Sequence, residues 1–381
     1  MPQESCESPE YVRMSTATAM ELGFVRGRFY RQARNLCVNL LLNYREGCFA
    51  NCAYCGLARK RPGNFADKSF IKVEWPAGKV SDIADRVREK QKHLGRVCIS
   101  MVTNPRAVAD TLLVAAQFRS RVSLPISVLC APTILSGSQL ENYRDAGIQM
   151  LGVAVDTAHP DLFSRYRGSG VRGPHKWDHY WDTVRTAVSL FGKGSVSVHL
   201  MVGLGESERD LAYVFQRVHD EGALIHLFSF FAESASALAH LPQPPWSTYL
   251  RLQLARWLVE KEIRSAGEFE FDDEGRIIGF GLGKEQLSDL VDERVPFMTS
   301  GCPGPEGAPA CNRPFGNCLP GVRQWNYPYL PNDEEMAKVR SAVLESAGCR
   351  EPQRPSEKDR RWDESTSSSS LGSRLRAGGD V

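Results

Sequence analysis

Gly47-Cys48-Phe49-Ala50-Asn51-Cys52-Ala53-Tyr54-Cys55-Gly56 places three cysteines on one short stretch with CxxxCxxC spacing. A [4Fe–4S] cluster takes one thiolate per iron, so three cysteines on a loop hold three irons and leave the fourth open to another ligand. Zinc sites usually pair two CxxC-type knuckles, and no second CxxC or HxxxH lies nearby. Three ordinary cysteines falling at this spacing by accident is the remaining alternative. A secreted disulfide staple is a poor match, because no N-terminal apolar segment suggests a signal peptide. The cluster is the reading that best fits the spacing.

The 381 residues suffice for one large core or two ordinary ones. Net charge is +2, from 47 basic and 45 acidic residues, so no nucleic-acid footprint is advertised. No apolar run approaches the length of a membrane span. Eleven cysteines, an odd number without a secretory address, point to a reducing cytoplasm with metal-bound or reduced thiols. The expectation is a soluble cytoplasmic protein with neither a nucleic-acid nor a membrane partner.

From about residue 34 to about residue 266, short strand-like runs alternate with amphipathic helical ones, the pattern of a parallel α/β fold. Residues 38–43 form the first strand and feed directly into the cysteine loop. Residues 80–94 read as a helix, with Val80, Ile83, Ala84 and Val87 at helical spacing and Gly95 as its stop. Strands at 97–102, 125–130 and 149–155 and helices at 107–118, 138–146 and 182–191 continue the alternation. In the strand at 195–202, Val196, Val198, Leu200 and Val202 face the covering helices, and Ser197, His199 and Met201 face the barrel interior. A helix at 208–219, a strand at 224–231 and a helix at 246–264 complete six strand–helix units, fewer than the eight of a closed barrel. The expected fold is α/β, a partial (β/α)6 TIM-type barrel over residues 34–266. Residues 1–33 are an N-terminal extension, polar to about Phe29 and expected as a helix packed outside. Residues 267–349 hold a hairpin turning at 272–275, a Gly/Pro-rich cysteine loop at 298–331 and a last helix at 333–347. Residues 350–381, charged and serine-rich, are expected to be a disordered tail.

Ligands of such sheets bind at the C-terminal ends of the strands. There stand the cysteine loop, Asp156 at the end of strand four, and Gly203-Leu204-Gly205-Glu206 after strand five. Read alone, Asp156 could equally cap the helix at His159-Pro160. Gly203 and Gly205 could simply make a turn, and His199 could be a core histidine. Arg167-Gly168-Ser169-Gly170 lacks the lysine spacing of a phosphate loop. A second cysteine set follows, Cys302 and Cys311, on a Pro/Gly-rich loop of the kind that wraps backbone closely around a compact inorganic centre. With Cys37, expected close to the barrel rim, they could hold a second, auxiliary [4Fe–4S] cluster whose last iron takes a non-cysteine ligand. Ser300 is a candidate for that position, where an alkoxide would release iron more readily than a thiolate, and Cys318 competes for any of these places. Cys6, Cys98, Cys130 and Cys349 read as ordinary.

The CxxxCxxC spacing with an aromatic, Tyr54, before its last cysteine resembles the signature of the radical S-adenosylmethionine (SAM) superfamily. That resemblance implies a partial barrel, a [4Fe–4S] cluster whose open iron chelates SAM, and cleavage of SAM to a 5′-deoxyadenosyl radical. Similarity to biotin synthase implies Asp156 at the SAM ribose, the backbone of Gly203 and Gly205 at adenine, and a SAM-carboxylate contact near His175 or Lys176. The Gly-Gly-Glu motif that commonly holds the SAM amine is missing. Ser100-Met101-Val102-Thr103 stands in its place, which makes Ser100 the candidate.

Over residues 34–347 the chain also resembles the two-component lipoyl synthases, a biotin-synthase-like pair. The motifs are Asn43-Tyr44-Arg45-Glu46-Gly47-Cys48, Phe228-Ser229-Phe230-Phe231, Leu252-Gln253-Leu254-Ala255-Arg256 and Cys302-Pro303-Gly304 followed by Cys311-Asn312-Arg313-Pro314-Phe315-Gly316-Asn317. This resemblance implies sulfur insertion at C6 or C8 of an octanoyl chain amide-linked to a lysine of a carrier protein. Hydrogen abstraction by the 5′-deoxyadenosyl radical comes first, and the auxiliary cluster is the sulfur donor. A paired radical SAM lipoyl synthase subunit and a reducing electron donor are the implied partners. Met201 and Phe228 suit an alkyl chain, although core packing explains them equally. Another radical SAM outcome, such as methylthiolation or rearrangement, and a non-catalytic iron–sulfur protein are the alternatives.

Overall fold

A computed structural model describes residues 6–69, 73–312 and 324–344. Cys318, Cys349, residues 313–317 and the serine-rich tail lie outside them. The chain opens with β1 (Tyr11–Met14), α1 (Thr16–Leu22), β2 (Cys37–Leu42), β3 (Ala77–Lys79) and α2 (Val80–Lys90). Next come β4 (Arg96–Ser100), α3 (Ala107–Arg119), β5 (Ile126–Cys130), α4 (Gly137–Asp145) and β6 (Met150–Asp156). Then follow α5 (Pro160–Tyr166), α6 (Trp177–Phe191), β7 (Val196–Val202), α7 (Glu208–Asp220), β8 (Leu224–Ser229) and α8 (Trp246–Glu260). A hairpin of β9 (Glu270–Phe271) and β10 (Ile277–Gly279), α9 (Lys284–Asp292) and α10 (Asp333–Leu344) complete it.

The main sheet runs β3-β1-β2-β4-β5-β6-β7-β8, and β2, β4, β5, β6, β7 and β8 pair in parallel. This is the expected partial barrel of six strand–helix units. Alternation along β7 follows the sequence pattern: Val196, Val198, Leu200 and Val202 are buried in the outer core, while His199 and Met201 line the interior. Ser136 and Gln139 make a reciprocal capping box that starts α4, and Ser207 with Asp210 does the same for α7.

The N-terminal segment departs from expectation. It is not only a helix packed outside: β1 extends the sheet, antiparallel to both β2 and β3. The buried arginine of Tyr-Val-Arg-Met hides this strand from a hydrophobicity reading. Arg13 donates from Nε to Trp75 O at 2.9 Å, and from its two Nη atoms to Phe65 O at 3.1 Å and Lys68 O at 2.6 Å. It thereby pins the segment that follows the cysteine loop. The short α9 was not anticipated, and the helix at His159-Pro160, α5, is capped by His159 rather than by Asp156.

Cys37 also lies elsewhere than expected. It is the first residue of β2, at the N-terminal edge of the sheet, whereas the cysteine loop leaves the C-terminal edge after Leu42. At 3.3 Å per residue, β2 separates the two edges by about 16 Å. The loop carrying Cys302 and Cys311 closes the N-terminal edge. Arg96 Nε donates to Pro303 O at 2.7 Å, and Asn312 Oδ1 accepts from Leu36 N at 3.2 Å. A Cβ at Gly301 would lie 1.9 Å from Cys311 O, so only glycine permits this fold of the loop.

The outer layer is tied to the hairpin by a buried ion pair. Arg251 on α8 meets Glu208 on α7, with Nε to Oε2 at 2.9 Å, and Oε2 also accepts the Ile277 amide at 2.9 Å. Removing one partner strands a buried charge, at a cost of about 3–5 kcal/mol. Glu208→Ala is expected to lower the urea-unfolding free energy by that amount, and the double variant Glu208→Met/Arg251→Met by less. A double variant at least as unstable as the single one contradicts this assignment.

Candidate functional site

The cysteine loop is held at the C-terminal rim by its backbone. The Phe49 amide donates to Thr103 O at 2.7 Å, Ala53 N to Tyr166 O at 2.8 Å, and Asn104 Nδ2 to Gly47 O at 3.2 Å. Gly56 is sterically obligatory: a Cβ would lie 2.2 Å from Ser69 O and 3.0 Å from the Glu233 carboxyl carbon. The loop therefore docks on the β4–α3 connection, on α5 and on the segment after β8.

Below it lies a cavity of about 290 Å³ that reaches both ends of the barrel. Cys48, Cys52, Cys55, Tyr54, Asp156, Arg167 and His175 line its upper part. Leu41, Leu129, Ala154, Met201 and Phe228 form its middle, and Asn39, Cys98, His226, Cys302 and Cys311 its floor. Ser100 is also on the wall. His199 stands beside His226, Nε2 to Nδ1 at 3.2 Å, and tilts 5.1 Å from the Phe228 ring.

Asp156 ends β6 at a register shift, with φ of 65°, in the left-handed region that Asp tolerates better than most residues. Its Oδ2 accepts from Tyr54 Oη at 2.5 Å and faces Arg167 Nη1 at 3.4 Å. Arg167 is the residue that sequence reading missed. It is buried, donates to Val155 O at 3.0 Å and reaches Tyr180 Oη at 3.3 Å. Its Nε is buried without a hydrogen-bond partner among the described residues. Arg167 opens a glycine-rich run that reads as a loop, so only the tertiary fold reveals it as the cation beside Cys52.

His175 lies on the same cavity wall as Arg167. Burial above all, and then the Arg167 charge, push its pKa down to about 3. Its Nδ1 meets Thr133 Oγ1 at 2.6 Å and Tyr180 Oη at 2.9 Å, so the neutral ring supports Tyr180 behind Arg167. Lys176 is exposed, before α6. Gly203 and Gly205 both have φ of 107°, as the turn requires, but neither lines the cavity. Glu206 accepts the Gly203 and Leu204 amides at 2.5 and 3.0 Å, and Leu204 packs against the cysteine loop. Ser300 is likewise off the cavity wall, its Oγ accepting the Leu227 amide at 3.4 Å. Glu233, unremarked in the sequence, is a buried carboxylate on the wall that accepts from Ser69 Oγ at 2.8 Å.

Residues 42–218 match the family model described as the radical SAM superfamily. That stretch is a radical SAM domain. Among solved structures it is similar to the FeFe-hydrogenase maturase HydG from Carboxydothermus hydrogenoformans, at 12% identity over 65% of this chain and 56% of that one, TM-score 0.44. It is also similar to SuiB of Streptococcus suis bound to the precursor peptide SuiA, at 11% identity over 61% and 48%, TM-score 0.43. A third is the radical S-adenosylmethionine methyltransferase TsrM from Kitasatospora setae, at 12% identity over 66% and 44%, TM-score 0.38. The chain thus spans about half the length of these structures. No curated protein matches it.

The radical SAM domain implies a [4Fe–4S] cluster and SAM, and the rim fits both. Cys48, Cys52 and Cys55 share one wall, and the orphaned Nε of Arg167 offers an anion a donor beside Cys52. Burial pushes the Cys52 thiol up, and the Arg167 charge draws it back. Among the described residues no three His, Cys, Asp or Glu side chains converge on a single metal ion. Thiolates that each bind a different iron need no such convergence. No helix among the described residues is long and apolar enough to cross a membrane.

His175 supplies a pH test. A folded pKa near 3 against about 6.5 unfolded favours the folded state above about pH 6.5. That contribution drains away as pH falls toward 3. The His175 ring resonances are expected to stay flat from about pH 8 to about pH 5 in cluster-free protein. A midpoint between about pH 6 and 7 would show the ring to be solvated and the Arg167–Tyr180–His175 chain broken.

Proposed function

We propose that this chain is a radical SAM enzyme of the lipoyl synthase type, inserting sulfur into an octanoyl chain on a carrier-protein lysine. The supporting observation is one cavity that joins Cys48, Cys52 and Cys55 at the rim to Cys302 and Cys311 on the floor across apolar walls. When bound, the rim cluster and SAM supply a radical able to remove hydrogen from an unactivated carbon. Arg167 would hold the SAM carboxylate by a charge-assisted hydrogen bond, in place of the role first expected near His175. Asp156, steadied by Tyr54, would accept from the ribose hydroxyls. Leu41, Leu129, Met201 and Phe228 would fix an alkyl chain between rim and floor and exclude water. Cys37, Cys302 and Cys311 would hold the auxiliary centre, the sulfur source and therefore a substrate of the reaction. A paired radical SAM subunit would share the two insertions, and a reductant would supply the electron.

Glu233 and the His199–His226 pair favour a second reading, a radical SAM reaction on a more polar substrate. One experiment separates the two. Anaerobically reconstituted protein is incubated with SAM, dithionite and an octanoyl-lysyl peptide, alone and with a candidate partner subunit. The expected result is 5′-deoxyadenosine together with a sulfur-sized mass gain on the peptide. 5′-Deoxyadenosine with an unchanged peptide keeps the radical chemistry and rejects the octanoyl substrate.

A further inference from the structure

We propose that Cys98 joins Cys37, Cys302 and Cys311 to complete a four-thiolate [4Fe–4S] site on the barrel floor. The proposal rests on the auxiliary-centre reading above and assigns the ligand which that reading leaves open.

Cys98 was expected to be an ordinary strand residue. In the folded chain, β2 and β4 pair in parallel with Asn39 opposite Cys98. Asn39 and Cys98 both line the cavity, as do Cys302 and Cys311 of the closing loop. The Cys37 thiol lies within hydrogen-bonding reach of both Cys311 and Cys98. Asn39 Nδ2 bridges the set, 3.4 Å from Cys37 Sγ and 3.8 Å from Cys311 Sγ. Cys37, Cys302 and Cys311 share an apolar cluster with Met150, and Cys98 and Leu224 pack against it. All four are thiols rather than half-cystines.

Two thiols from strands β2 and β4 and two from a capping loop are a soft donor set. Four is the number a cubane takes, one per iron. The alternative fourth ligand, Ser300, has its Oγ turned to the Leu227 amide, which it accepts at 3.4 Å. Asn39 has a role that follows from this placement. Its amide donates toward two of the sulfurs, and hydrogen bonds to cluster sulfur are a lever on reduction potential. The loop geometry serves the same end: Gly301 lets the Cys302 and Cys311 backbones lie against each other.

The test uses the full chain with Cys48, Cys52 and Cys55 all replaced by alanine, so that any remaining cluster belongs to the floor. After anaerobic reconstitution this variant is expected to hold about four iron and about four sulfide per chain. Adding Cys98→Ala is expected to lower iron to about three or fewer, while adding Ser300→Ala leaves the count unchanged. Cys98→Ser, nearly isosteric, serves where alanine fails to fold; it is expected to lower the count or shift the Mössbauer spectrum, since an oxygen ligand replaces sulfur. A full iron count with an unchanged spectrum in the Cys98 variant overturns the assignment and leaves the auxiliary centre standing. No iron in the parent triple variant, or zinc without sulfide, overturns the auxiliary centre itself and the proposal with it.

Discussion

Side chains alternate across a strand, and in six parallel strands wrapped as a partial barrel that alternation has one outcome. Every second residue of β2, β4, β5, β6, β7 and β8 is sent into a single interior. The two edges of the sheet therefore become two ends of one cavity. β2 makes the point within a single strand: Cys37 starts it at the floor, and the chain leaving Leu42 delivers Cys48, Cys52 and Cys55 to the rim. A molecule held between Leu41, Leu129, Met201 and Phe228 meets one cysteine set on each side. Chemistry that must take an atom away at one end and add another at the opposite end has its geometry supplied by the pleat.

The rim depends on one buried cation. Arg167 lies under Asp156 and beside Cys52, stacks 4.9 Å from the Tyr180 ring, and is anchored on the Val155 carbonyl. Burying a guanidinium is costly unless acceptors surround it. Here backbone carbonyls, a tyrosine hydroxyl and a carboxylate do so, and the neutral His175 adds no second positive charge. One donor is left over at Nε. That donor is the feature on which the proposed carboxylate contact of Arg167 rests.

Much of this was legible in the sequence because its signals are local. The six strand–helix units follow from period-two and period-3.6 patterns, and the capping boxes at Ser136 and Ser207 sit where helices were expected to begin. The CxxxCxxC loop carries its own chemistry. What was not legible depends on contacts between distant segments. β1 is a strand only because Arg13 finds carbonyls more than fifty residues away. Arg167 looks like part of a glycine-rich loop until α5 folds beneath the cysteine loop. The floor was misjudged for the same reason: the loop at 299–312 closes the edge opposite the rim, where Cys37 starts β2 and Cys98 packs beside it. Gly203 and Gly205 match their motif, yet the fold spends the neighbouring amides on Glu206.

The proposed function requires two metal centres at opposite ends of one cavity, only one of them open to SAM. Electron paramagnetic resonance of the reduced, fully reconstituted chain, recorded with and without SAM, tests this most directly. Two overlapping cluster signals are predicted, one shifted by SAM and one unmoved. A single signal that shifts as a whole on adding SAM, with nothing left behind, would contradict the second centre and the two-ended cavity chemistry built on it.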